Sequence, residues 1–116
     1  MSDEVIDKGQ WEFFCNRVSR QLEGAQAEIE VASLNIGDQI QAEWVPLLGV
    51  SYDPKDDIVE IAVEGLDHIV REPGALTVQR EGPMIASLAV ESRAGERHIV
   101  RFRQPLSLPA PEALKS

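Results

Sequence analysis

The sequence predicts an α+β fold, in which an N-terminal helix packs on a strongly bent antiparallel sheet of about six strands. Two observations support this fold class. Over residues 11–22 the apolar side chains recur at helical spacing, whereas from residue 27 onward apolar and polar side chains alternate with a period of two. The pattern leaves two arrangements open, a bent open sheet and a small SH3-like or Sm-like barrel.

The first predicted element is a helix that runs to about Glu23. Asp7 and Gln10 have the spacing of a capping box at its start, and Gly24 is the expected C-terminal stop. Packing of its apolar face against the sheet is favoured over a role in partner binding. This face is formed by Trp11, Phe14, Cys15, Val18 and Leu22.

The first predicted hairpin turns at residues 35–38. Pairing Leu34 with Gln39 places Val31 opposite Ala42 and Ile29 opposite Trp44, so that the apolar side chains share one face. Further along the second strand, Pro46 cannot donate a ladder hydrogen bond and therefore marks a bend.

The remaining chain is predicted to contain one more long hairpin, a short strand and a last hairpin. The long hairpin turns at residues 53–56, and residues 66–70 are read as a short helical turn. Residues 76–79 form the short strand. In the last hairpin, Val90 is set opposite Val100 and Leu88 opposite Phe102.

Length and composition indicate one domain over residues 1–116, with residues 1–6 and 105–116 as flexible tails. The formal net charge is −9, from 11 Lys and Arg against 20 Asp and Glu. An acidic surface repels the phosphate backbone, and nucleic-acid binding is therefore not favoured. Three features lead us to expect a cytoplasmic protein without a membrane segment. The start of the chain is acidic, no apolar run is long enough to cross a bilayer, and Cys15 is the single cysteine.

The sequence lacks the glycine-rich, nucleophile-elbow and metal-ligand motifs that accompany common enzyme chemistry. We therefore assign no catalytic residue, metal site or cofactor. His68 and His98 are the two histidines, with Asp67 and Glu91 as their expected acidic neighbours. Independent histidines are the favoured interpretation, and a composite metal or acid–base site is the alternative.

A basic patch is predicted on the last strand, where Arg97, Ile99, Arg101 and Arg103 share one face. Three interpretations stay open. The patch could bind an anion or an acidic partner. The patch could pack against the acidic first hairpin of a second copy and so form a homodimer, or its arginines could pair with glutamates of neighbouring strands.

Several short runs occur in order along the chain, at residues 30–34, 37–39, 42–47, 52–57 and 64–68. Together they resemble a bacterial family of domains of unknown function, the one numbered 5335 in its series. The resemblance extends from Trp11 to about Pro109, and it implies no reaction, ligand or catalytic residue. Its polar and aromatic positions at predicted strand ends are the candidate ligand site. These positions are Asp38, Trp44, Tyr52, Asp67 and His68.

Three function classes remain after these observations. A small non-enzymatic binding or assembly module, acting as a homodimer through protein contacts or a small ligand, is favoured because enzyme motifs are missing and complementary charges are exposed. The alternatives are an RNA-binding or nucleic-acid-binding small barrel and a small enzyme that uses Asp67 and His68. The enzyme requires both side chains in one pocket.

Overall fold

The computed structural model describes residues 2–35 and 37–107, and these residues are mostly sheet. Eight antiparallel strands form one sheet in the order β1-β6-β7-β8-β2-β3-β4-β5. One α-helix, α1 (Trp11–Ser19), follows a single 3-10 turn at Lys8–Gln10. The strands are β1 (Ser2–Val5), β2 (Gln26–Ser33), β3 (Gly37–Asp53), β4 (Ile58–Val63), β5 (Leu66–Arg71), β6 (Pro73–Glu81), β7 (Met84–Ser92) and β8 (Arg97–Ser107).

The predicted fold class, a helix packed on about six strands, is wrong. The chain enters the structure through β1, which pairs with β6, and residues 66–71 add a further strand that pairs with β4. The barrel alternative is also wrong, because β1 and β5 stand at the two ends of the strand order and leave the sheet open.

The bend of the sheet lies in β3, the longest strand. Residues up to Pro46 pair with β2, and residues from Leu47 onward pair with β4. Trp44 has a φ of 49°, a left-handed conformation that is rare for a large side chain, and it turns the strand just before the proline. The change of partner beside Pro46 matches the position at which the sequence predicts a bend.

The core lies between the two parts of the bent sheet and α1. The helix contributes the buried side chains that its spacing predicts, and Trp11 donates from its indole Nε1 to the Ile6 carbonyl oxygen at 2.8 Å. Strand β4 shows the strict alternation of a half-buried strand, with Val59, Ile61 and Val63 pointing inward. Each such burial stabilises the fold by about 1.5–3 kcal/mol.

The helix ends at Ser19, one turn before the predicted position. Residues 20–25 instead form tight turns, in which Ala25 donates its backbone N–H to the Leu22 carbonyl at 2.8 Å. Gly24 has a φ of 76° there, as a glycine stop requires. Leu22 therefore remains buried, although it lies outside the helix.

Both predicted hairpin registers are wrong. In the first hairpin, Val31 pairs with Gln39 and Ile29 pairs with Ala42, because pairing begins at Ser33 and Gly37 and so leaves a shorter turn than predicted. In the last hairpin, Leu88 pairs with Val100, a slip of two residues from the predicted register. A slip of two leaves every side chain on its predicted face, and so the hydrophobic pattern cannot detect it.

Residues 66–70 are not a helical turn but most of β5. Gly65 has a φ of 86° and closes a tight hairpin in which Val63 pairs with Leu66. The strand predicted at residues 76–79 is longer and forms β6.

Parts of both predicted tails lie in strands of the sheet. Residues 2–5, within the expected N-terminal tail, form β1, and residues 105–107 continue β8. Residues 108–116 of the expected C-terminal tail lie outside the described residues.

Candidate functional site

The first half of β3, residues 37–45, is largely exposed, and we call it the β3 arm. On one side it pairs with β2, and the pairing of β3 with β4 begins only at Leu47. Ile40 is 49% exposed and Trp44 is 36% exposed, and Leu34 in the turn before the arm is fully exposed. The β3 arm therefore combines a free strand edge with exposed apolar side chains.

Local sequence explains this geometry. Register shifts in the β2–β3 pair twist the edge, so that regular pairing runs only from Gly37 to Ile40 before the first irregularity. The arm contains no lysine, arginine or proline, which are the residues that commonly protect a free edge, and its charged residues are Asp38 and Glu43.

A charged cluster lies where the β3 arm meets β2 and β8. Arg101 bonds to Glu30 and to Glu28, the latter with Nη1 and Oε1 at 3.2 Å, and Glu30 also shares a hydrogen bond with Asp38. Hydrogen bonding to Arg101 lowers the pKa of Glu30, whereas the hydrogen bond with Glu30 raises the pKa of Asp38. The predicted site residue Asp38 thus belongs to a carboxyl pair that lies beside one guanidinium.

The predicted basic patch on β8 has partners within the chain. Arg97 bonds to Glu91 with Nη1 and Oε1 at 2.9 Å, and Arg103 donates to Gln26 at 3.0 Å. Ile99 is half-buried between them. The contact of Arg97 matches the interpretation in which the arginines pair with glutamates of neighbouring strands, whereas the partner of Arg103 is a neutral amide.

The two histidines meet, which shows that the interpretation of independent histidines is wrong. His68 of β5 and His98 of β8 both point inward, and His68 Nε2 lies 2.8 Å from His98 Nδ1. His98 is 5% exposed, and its Nε2 lies 3.2 Å from Glu96 Oε1. Glu96, not the expected Glu91, is therefore the acidic partner, and its position two residues before His98 was the signal that sequence analysis missed.

Burial determines the charge of this pair. Desolvation lowers the pKa of both imidazoles, His98 lowers that of His68 further, and the Glu96 carboxylate opposes the shift. Both histidines are consequently neutral at pH 7.

The other predicted ligand residues do not join these groups. Tyr52 lies in the core with its ring 5.1 Å from that of Trp11, and its hydroxyl donates to Asp57 at 2.7 Å. Desolvation and this bond raise the pKa of Tyr52 to about 12. Asp67 is exposed and precedes His68 on a strand, so that the two side chains point to opposite faces.

Two small cavities adjoin predicted site residues: one of about 180 Å³ is lined by Arg97, Ile99 and Arg101, and one of about 280 Å³ is lined by Tyr52. The two larger cavities lie elsewhere. One of about 440 Å³ and another of about 490 Å³ adjoin residues 23–26, and of the nine predicted site residues only Arg103 lines either of them. Within residues 2–35 and 37–107, no group of three or more His, Cys, Asp or Glu side chains is placed to hold a metal ion. Over the same described residues, no helix has the length and apolar character that a membrane crossing needs.

The fold and these surfaces define a small, mostly β protein with one exposed strand arm and one partly buried histidine pair. The chain belongs to the Family of unknown function DUF5335, whose model matches residues 2–111. An uncharacterized protein of the bacterium Aquifex aeolicus (strain VF5) is 38% identical over 110 residues, which cover 94% of this chain and 99% of the relative. The resemblance noted in the sequence is thereby confirmed. No solved structure matched the chain.

Proposed function

We propose that the protein is a non-enzymatic assembly module that forms a homodimer through the β3 arm. The observation that carries this proposal is the free edge of residues 37–45, which exposes unpaired backbone groups together with Ile40 and Trp44. Strand addition at such an edge satisfies the backbone and buries apolar side chains in one step.

A second copy is the occupant that fits best. Any strand edge can pair with itself in an antiparallel sense about a two-fold axis, and such an interface is closed. The register shifts in the β2–β3 pair shorten the regular edge, which favours one short pairing over open-ended stacking. Cytoplasmic residence is part of the proposal, supported by Cys15, which is buried and is a free thiol.

Light scattering after size-exclusion chromatography, over a wide range of protein concentration, tests the proposal. We expect a dimer that dissociates on dilution, and Ile40→Lys should raise the dissociation constant about tenfold or more, because a charge must then be buried in the interface. Leu48→Lys is the matched control, since Leu48 lies on the same strand beyond the bend and is 64% exposed.

Amide exchange gives a second measurement. Exchange at residues 38–45 should slow with rising concentration, whereas exchange in the rest of the sheet should not. Added salt should strengthen the dimer, because Asp38 and Glu43 bring like charges together. A monomer at every concentration, or equal effects of Ile40→Lys and Leu48→Lys, would overturn the proposal.

A further inference from the structure

We propose that His68 and His98 form a proton-operated latch, which holds the edge strand β5 against β8 and releases it when both imidazoles are protonated. The latch is independent of the proposed dimer, since it involves the inward side of β5 and not the β3 arm.

The position of β5 at the edge of the sheet limits what holds it in place. β5 is the last strand of the sheet and pairs along its length with β4 alone. Its inward side chains are Leu66, His68 and Val70, of which only Val70 is fully buried. The hydrogen bond of 2.8 Å between His68 and His98 joins this edge to a strand that stands far from it in the order of the sheet.

Proton positions follow from the chain of contacts. In the neutral state, His98 donates from Nε2 to the Glu96 carboxylate, which leaves His98 Nδ1 to accept from His68 Nε2. A first proton can enter at His68 Nδ1 without disturbing this bond. A second proton must enter at His98 Nδ1, where it meets the N–H of His68, and the hydrogen bond is replaced by repulsion between two cations.

The surroundings strengthen this effect. The residues opposite the histidines are apolar: Ile61 of β4 faces His68, while Val31 of β2 and Val90 of β7 flank His98. Glu96 is the charged group that faces the pair. Asp67 and Arg97 adjoin the histidines along the chain but point to the other face of their strands. One carboxylate can therefore compensate one imidazolium and not two.

The direction of the pH effect follows from the shifts. Both histidines have a lower pKa in the folded protein than the ordinary value of 6.5. The unfolded or opened state consequently binds protons first, so that stability is complete above pH 6.5 and is lost as the pH falls through the folded pKa values. Because only the edge strand is held in this way, the loss should appear as local opening before global unfolding.

An NMR titration of the two imidazole signals, combined with amide exchange, tests the latch. We expect two separate titration steps, both below 6.5, and protection in residues 66–71 should fall about tenfold or more through the second step, after correction for intrinsic exchange. Protection in β6 and β7 should be retained. In His68→Phe, which places an apolar ring beside Ile61, the selective loss of protection in β5 should disappear.

Either of two results would overturn the latch. One is a common titration of both histidines near 6.5, which would show that they do not interact. The other is protection of β5 that stays level with that of β6 through both steps. If His68→Phe fails to fold, the titration and the exchange of the unmodified protein still decide between these outcomes.

Discussion

At the scale of single residues, Ser19 joins the end of α1 to the C-terminal part of β3. Its hydroxyl donates to the Val50 carbonyl at 2.7 Å and accepts from the Val50 N–H at 3.0 Å. One side chain thus satisfies both backbone groups of a buried residue. Sequence patterns do not reveal such a contact, because the two residues lie 31 positions apart.

Ser19→Ala should lower the free energy of unfolding by about 1–3 kcal/mol, since it leaves the backbone groups of Val50 without their partner. Urea unfolding followed by circular dichroism measures this. Ser51→Ala, at an exposed position of β3, is the control and should change stability by less than about 0.5 kcal/mol. An equal decrease in the free energy of unfolding of the two variants would show that the Ser19 contact stabilises the fold no more than an exposed serine does.

At the scale of elements, β8 supplies two arginines whose own side chains are similarly exposed, at 42% and 49%, but whose carboxylate partners differ in burial. Arg101 reaches Glu30, whose residue is 9% exposed, while Arg97 pairs with Glu91 where both side chains are about half exposed, at 49% and 50%. A cation beside a buried carboxylate matters more than one in a surface pair, because the carboxylate loses water that it cannot replace.

Arg101→Met should therefore destabilise the protein by about 1–3 kcal/mol at neutral pH, and the matched Arg97→Met by less than about 0.5 kcal/mol. Arg101 lowers the pKa of Glu30 from its ordinary 4.5, so the stabilisation is present above pH 4.5 and is lost as the pH falls through the folded pKa. Urea unfolding at neutral and acidic pH measures both effects. If the difference in the free energy of unfolding between wild type and Arg101→Met stays constant below pH 4.5, this account is contradicted.

At the scale of the whole molecule, Cys15 reports on global opening. It lies on α1, is 1% exposed, and burial raises the pKa of its thiol to about 12. Because the thiolate is the reactive form, native protein should resist an aromatic disulfide reagent at pH 8 until it unfolds.

The labelling rate of Cys15 should give the same free energy of unfolding as urea. Ser19→Ala should speed labelling in proportion to its loss of stability, about tenfold for each 1.4 kcal/mol. Rapid labelling that Ser19→Ala leaves unchanged would mean that α1 opens locally and would contradict this prediction.

Local information in the sequence was sufficient to predict the apolar face of α1, the alternation of β4, the bend beside Pro46 and membership of the family. Each of these depends on residues that are neighbours along the chain, where periodicity and backbone preference act directly. The same information could not separate registers that differ by two residues, because such a slip keeps every side chain on its face.

The tertiary structure alone decided the candidate sites. Residues 66–71 form a strand because they pair with β4. The β3 arm has a free edge because the pairing of β3 with β4 begins only at Leu47. His68 and His98 met only because the bent sheet brings an edge strand back towards a central one. Such contacts join residues distant in sequence, and their geometry is set by packing of the whole core and not by any local pattern.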